Sequence, residues 1–215
     1  NGNKHELQSK MSFNKTSFFI SGSFLANTST IENNSFLRAK ATILHRFNKS
    51  WLGGFTNLET NSRREISTNN YINTSHRFKE FETYFGIGDT TKVFAKIGLN
   101  YRNNDSIKSN AFTEINNRKT IYINSKLIQN KFTSLNIFAN YRLTENKFSE
   151  NEKSLNSKVV FNQRLFNDFV NLGTTYETSS GNIARQEYVY IKTEPGFGYY
   201  TWIDYNNDGI QDFDE

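Results

Sequence analysis

The chain is 215 residues long and 35% hydrophobic, yet 15% aromatic, with 26 Lys+Arg against 21 Asp+Glu for a net charge of +5. No apolar run approaches the roughly 18 residues of a membrane-spanning helix, and the absence of Cys excludes disulfide scaffolds, thiolate zinc sites and thiol catalysis. Twenty Phe and 11 Tyr argue against disorder, which is aromatic-poor.

The first residues, Asn1 to Lys10, lack both a basic n-region and an apolar h-region, so no signal peptide is read there. The chain has no initiator Met, and Glu215 falls inside a patterned motif. It is therefore expected to be an excised or processed piece of a longer protein, in which a missing leader carries little weight. Asn abounds beside Lys, Ser and Thr, which leaves the scattered Asn-x-Ser/Thr triplets uninformative as glycosylation sites.

From about residue 15 to about residue 192 the apolar period is two, that of strands with one apolar face. Phe18, Ile20, Gly22, Phe24 and Ala26 share one phase, with Ser21, Ser23 and Asn27 on the other. Next, Leu37, Ala39, Ala41 and Ile43 oppose Arg38, Lys40, Thr42 and Arg46. Noisier alternation covers Phe81–Ile87, and a clear run follows in which Val93, Ala95, Ile97, Leu99 and Tyr101 oppose Lys96, Gly98, Asn100 and Arg102. Ile121–Leu127, Leu135–Leu143, Leu155–Phe161 and Val170–Tyr176 continue the pattern. The prediction is an all-β, antiparallel up-and-down meander of long strands.

Several runs span roughly nine to thirteen residues, longer than typical soluble strands and close to a tilted bilayer-spanning one. Predicted connections alternate: short at Asn48–Ser50, Gly88–Lys92, Gln129–Lys131 and Phe166–Asp168, long and polar at 57–77, 103–110, 144–153 and 177–186. Outer-membrane barrels combine short turns on one side with longer loops on the other. Phe47 and Trp51 flank one short turn, while Tyr101, Tyr141 and Tyr176 stand where strands enter long loops, as expected of interfacial girdles.

Energetics choose the face. Arg or Lys on a lipid face near the midplane costs roughly 2–4 kcal/mol, so Arg38, Lys40 and Arg46 must face water and Leu37, Ala39, Ala41 and Ile43 take the hydrocarbon. Lys96, Arg102, Lys126, Arg142, Lys158 and Arg164 follow the same polar phase, with Glu80 and Glu82 as balancing acids. A hydrated, charge-balanced face is preferred over anion selectivity. Roughly nine spanning strands are predicted where closed barrels use an even number. The missing partners are expected outside this piece, in preference to an extra strand in His5–Phe13.

The strongest local signal is at the carboxy terminus. Oxygen-bearing Asp204, Asn206, Asp208, Asp212 and Glu215 stand at relative positions 1, 3, 5, 9 and 12, with Gly209 at position 6. That spacing fits an EF-hand-type calcium loop, although Trp202 and Ile203 read as strand and no flanking helices are expected. With Ile210 directly after the glycine, the loop resembles the calcium repeats of thrombospondin type 3 modules. By that resemblance Asp204, Asn206, Asp208, Asp212 and Glu215 are side-chain ligands and Ile210 offers its carbonyl. The competing reading is a solvated Asp-Gly turn. Pro195 and Gly196 turn a hairpin that leads into this loop, giving an expected division into strands of a barrel over 1–186 and a hairpin with the calcium loop over 187–215.

The segment from Gly196 to Gly209, Gly-Phe-Gly-Tyr-Tyr-Thr-Trp-Ile-Asp-Tyr-Asn-Asn-Asp-Gly, resembles large outer-membrane β-barrel proteins of the Bacteroidota. The likeness is sharp over Tyr188–Glu215 and one of texture elsewhere. It implies a Gram-negative outer-membrane location and a role in transport or secretion, and no catalytic residue.

Catalytic and nucleotide motifs are absent from the sequence. His5, His45 and His76 lack ligand spacing, and Gly86-Ile-Gly88 is too short for a dinucleotide fingerprint. The +5 charge is too thinly spread to indicate nucleic acid. The expectation is a non-catalytic outer-membrane β-barrel piece acting in transport, secretion or surface assembly. Its partners would be outer-membrane lipid and other outer-membrane or secretion components. The alternative is a secreted calcium-binding β-sandwich adhesin or interaction module.

Overall fold

The computed structural model describes residues 2–180. The chain divides into two units, Asn1–Asn182 and Ile183–Glu215, and the described residues belong to the first. Ten strands form one antiparallel sheet in strict sequence order. They are β1 Gly2–Phe13, β2 Thr16–Thr28, β3 Glu32–Arg46, β4 Ser50–Glu65, β5 His76–Gly88, β6 Phe94–Lys108, β7 Ala111–Gln129, β8 Thr133–Asn146, β9 Glu152–Leu165 and β10 Val170–Ser180. The all-β meander is thus observed. So is a strand through His5–Phe13, which the residue pattern disfavours: it is β1, paired with β2 in unbroken register from Gly2↔Asn27 to Phe13↔Thr16. Its alternation is weak because Leu7, Met11 and Phe13 are the only large apolar members of the face they share with Asn3, His5 and Ser9.

Directly opposed residues share a face, so the register carries each phase across the sheet. Ile20, Ala41 and Thr56 are neighbours in one row, and Phe85, Ile97, Ile123 and Ala139 in another. Two bulges, between Asn104 and Asp105 and between Lys126 and Ile128, account for the noise in the pattern, since each takes up an extra residue without inverting the next strand.

Of the three long loops predicted before Ser180, 103–110 is mainly strand and the other two are about half strand. β6 runs to Lys108 and β7 begins at Ala111, leaving only Ser109 and Asn110, both with positive φ as a tight primed hairpin turn requires. Only the connection 66–75 stays long. The polar segments remain extended because cross-strand side chains stitch them together: Asn103 Nδ2 donates to Glu114 Oε2 at 2.6 Å and Asn104 Nδ2 to Asn116 Oδ1 at 2.7 Å. Polarity there marks the end of the apolar band, not the end of the strand.

That band is confined to part of each strand. It runs from Leu52 to Leu58 on β4, Phe81 to Ile87 on β5, Ala95 to Tyr101 on β6 and Leu135 to Leu143 on β8. Seven to nine residues correspond to roughly 20–27 Å along a strand before tilt. Toward the 66–75 end the same face carries Lys119 in the band's last row, between Tyr101 and Leu143, and then Arg77, Lys79, Asp105 and Glu145, so charges are restricted to one face only short of that row. Arg77 and Asp105 pair at 2.5 Å there, as do Lys119 and Glu145.

Four of the five turns at the opposite end of the sheet repeat a Phe-Asn or Asn-Lys signature. Phe13, Phe47, Phe132, Phe166 and Phe169 are exposed in or beside the turns 14–15, 47–49, 130–132 and 166–169. Tyr101, Tyr141 and Tyr176 are exposed on the apolar face toward the other end. Trp51 departs from expectation. It lies on the polar face, 8% exposed, because Gly86 directly opposite leaves room for its indole: a Cβ there would meet the ring at 2.2 Å.

Candidate functional site

Among the described residues the buried large hydrophobics are Trp51 and Phe78, and both sit on the polar face. Tyrosines on that face are seated like Trp51. Gly53, Tyr84, Gly98 and Tyr122 form one row across β4–β7, so each ring lies over the glycine of the strand beside it. Small and large residues alternate across the row and fill the space between strands, as side chains do on the inner face of a curved sheet.

This packing organises the charges. Glu82 accepts from the Tyr122 hydroxyl at 2.5 Å and from Asn100 Nδ2 at 3.3 Å. Lys96 Nζ lies 3.5 Å from Glu82 Oε1 and 3.9 Å from the centre of the Tyr84 ring. Nearby, Arg38 donates from both Nε and Nη2 to Glu59 Oε2 at 2.8 and 2.6 Å, and His76 Nε2 approaches Glu59 Oε1 at 3.3 Å. Arg102 stacks on Phe78 at 3.8 Å and reaches Glu80 at 3.9 Å. The predicted polar-face set Lys96, Arg102, Lys126, Arg142, Lys158, Arg164, Glu80 and Glu82 is brought onto one surface. Its balance is uneven. Acids cluster on β4 and β5, while the polar faces of β6, β7 and β8 carry Lys96, Arg102, Arg118, Lys126 and Arg142 and no carboxylate.

The apolar face is the converse. Ile20, Leu37, Phe81, Ile97 and Ile121 stay 44–52% exposed, and no second layer of the described residues covers them. A shallow apolar groove of about 570 Å³ runs between Phe81, Leu99, Tyr101, Ile121 and Tyr141, with Lys119 at its edge.

At the 66–75 end the Ser75 side chain is fully buried, its hydroxyl accepting from the Arg63 N–H at 2.9 Å and donating to the Arg63 carbonyl at 3.0 Å. Arg64 stacks on Tyr71 at 4.0 Å and Tyr71 meets Phe112 edge-on at 5.0 Å, which folds the connection onto the β6–β7 turn. Sequence periodicity could not find this cap, because its residues come from outside any alternating run. In the β5–β6 turn Asp89 accepts the Thr91 N–H at 2.9 Å and its hydroxyl at 2.8 Å. Those bonds, backbone first, hold the Asp89 carboxyl below the usual carboxylate range.

Asp204, Asn206, Asp208, Ile210, Asp212 and Glu215 lie outside the described residues. Among the described residues no group of three or more His, Asp or Glu is arranged to hold a metal ion.

No protein-family model and no curated protein matches the chain. Among solved structures it is similar to the crystal structure of the β domain of the Bordetella autotransporter Brka, with a TM-score of 0.34 and 11% sequence identity, covering 84% of this chain and 83% of that one.

Proposed function

We propose that the chain is part of an outer-membrane β-barrel of a Gram-negative cell, non-catalytic, acting in transport, secretion or surface assembly. One observation carries this reading: the apolar side of the sheet is exposed while the polar side buries Trp51 and Phe78 and half-buries its ion pairs, the inverse of a soluble protein. Exposed apolar patches on soluble monomers rarely exceed a few hundred Å², and here the band crosses many strands. Phe at one rim and Tyr toward the other support it as interfacial anchors. Lipid is the partner that would cover the band. A sandwich would instead need a second sheet over this face, and the described residues form one sheet only. Heat-modifiable electrophoretic mobility and dependence on detergent for extraction are the expected behaviour. A protein that stays monodisperse without detergent would end the proposal.

The resemblance of Gly196–Gly209 to outer-membrane barrels of the Bacteroidota supports membership of that group. We further propose that Asp204, Asn206, Asp208, Asp212, Glu215 and the Ile210 carbonyl bind Ca²⁺, on the support of their spacing around Gly209. Calorimetry of the full chain should show saturable calcium binding that Asp208→Ala abolishes. Absence of heat at millimolar calcium removes the assignment.

A further inference from the structure

On the polar face Glu80, Arg102, Arg118, Thr144 and Glu152 follow one another in a single row across β5–β9, and Arg142 lies in the next row, opposite Thr120. Arg102 and Arg118 are therefore directly opposed across β6 and β7, an arrangement of like charges that destabilises a sheet. Arg142 is the diagonal neighbour of Arg118, within reach of a long side chain.

Compensation from the protein goes to Arg102, whose Nε donates to Asn104 Oδ1 at 2.9 Å and whose guanidinium stacks on Phe78 at 3.8 Å, and little of it reaches Arg118 or Arg142. The nearest acid on one side, Glu80, stands 3.9 Å from Arg102 and is already accepting from Asn100 at 2.9 Å. On the other side Glu152 lies beyond Thr144 and accepts from Asn146 at 3.5 Å. Among the described residues Arg118 and Arg142 have no hydrogen bond, ion pair or ring contact. The cations of β3 and β4 contrast with them: Arg38 holds Glu59, Lys40 lies over Phe55, and Arg63 holds Glu32 at 2.7 Å. Arg46 and Lys126 also lack such partners, but neither faces another cation in its row. Arg118 and Arg142, close to each other and without a counter-ion, beside an Arg102 that already holds Glu80, break a local rule with no gain inside the chain, the pattern expected where a ligand completes the structure.

We propose that Arg118 and Arg142, with Thr120 beside both in the register and Arg102 at the edge, form a seat for a tetrahedral oxyanion of the phosphate or sulfate type. Planar forks of N–H donors match such an ion two oxygens at a time, whereas chloride offers no such match. The seat goes beyond the membrane reading and does not depend on it, since all four residues are on the polar face whatever covers the other.

The test is calorimetry of inorganic phosphate into the full chain refolded in zwitterionic micelles, with chloride at equal ionic strength as the reference. Saturable binding is expected, weakened roughly tenfold by Arg118→Gln or Arg142→Gln and unchanged by Lys126→Gln. Arg118→Gln should also raise the unfolding temperature in chloride, because it removes the opposed charge. Arg142→Lys keeps the charge but loses the fork, so it should weaken binding too. Glucose 6-phosphate as a second probe separates a bare ion from an oxyanion carried on a larger molecule: equal affinity points to the former, tighter binding to the latter. No saturable phosphate heat, or equal weakening by Lys126→Gln and Arg118→Gln, overturns the seat.

Discussion

The two faces of this sheet are built from the same ten strands yet obey opposite rules. On the polar face rings are sunk over glycines and carboxylates are shared between two or three donors. The apolar face leaves Leu, Ile and Phe side chains splayed and partnerless. Hydrophobic content therefore does not tell which side of a sheet is the packed one. Here burial is created by geometry, through Gly opposite Trp or Tyr, and by ion pairing.

The widest expected separation between the faces comes from one pair of adjacent substitutions. Ile123→Arg places a cation mid-band, and folding into phospholipid vesicles should lose roughly 2–4 kcal/mol. Asn124→Glu, one residue on and on the opposite face, where it stands opposite Lys96, should leave stability unchanged or slightly raised. Equal losses for the two would contradict lipid as the covering medium.

Glycines sharpen the contrast at a smaller scale. A Cβ on Gly86 would strike the Trp51 indole at 2.2 Å, so Gly86→Ala should cost about 1–3 kcal/mol in denaturant unfolding in micelles. Gly22, on the apolar face, has only the Arg38 carbonyl oxygen near, at 3.8 Å, so Gly22→Ala should be neutral or slightly stabilising.

The smallest effect belongs to the β5–β6 turn. Because the Asp89 carboxyl titrates below its unfolded value, it stabilises the turn above the unfolded pKa. That contribution is lost as pH falls through the lower, folded pKa. Asp89→Asn should flatten this acid limb of the unfolding midpoint and leave the neutral-pH mobility in gels unchanged.

Much of the fold is legible in the primary structure. Strict alternation around Leu37–Ile43 and Ala95–Tyr101 specifies strand, face and register together, because a slip of one residue would put Arg38 and Lys40 in the band. β1 is hard to read because few bulky apolar residues mark its phase, and the extended ends of β6 and β7 read as loops because polar ladders resemble loops in composition. Trp51 has the sequence setting of an interfacial anchor; only the pairing with Gly86 across β4–β5 shows why it turns inward. The opposed arginines are invisible in sequence for the same reason. Arg102 and Arg118 are 16 positions apart, and nothing local tells that a two-residue hairpin at Ser109-Asn110, with one bulge, sets them side by side.

The meander's outermost strands have one more consequence. With ten members in alternation, β1 and β10 run in opposite directions. Were the ribbon to join its own margins, the seam would be antiparallel like every other pairing in it. Added hairpins, which insert strands two at a time, would preserve that match, whereas a lone added strand would impose a parallel join. A closed form of this sheet, whatever its circumference, would keep an antiparallel seam only if strands were added in even steps.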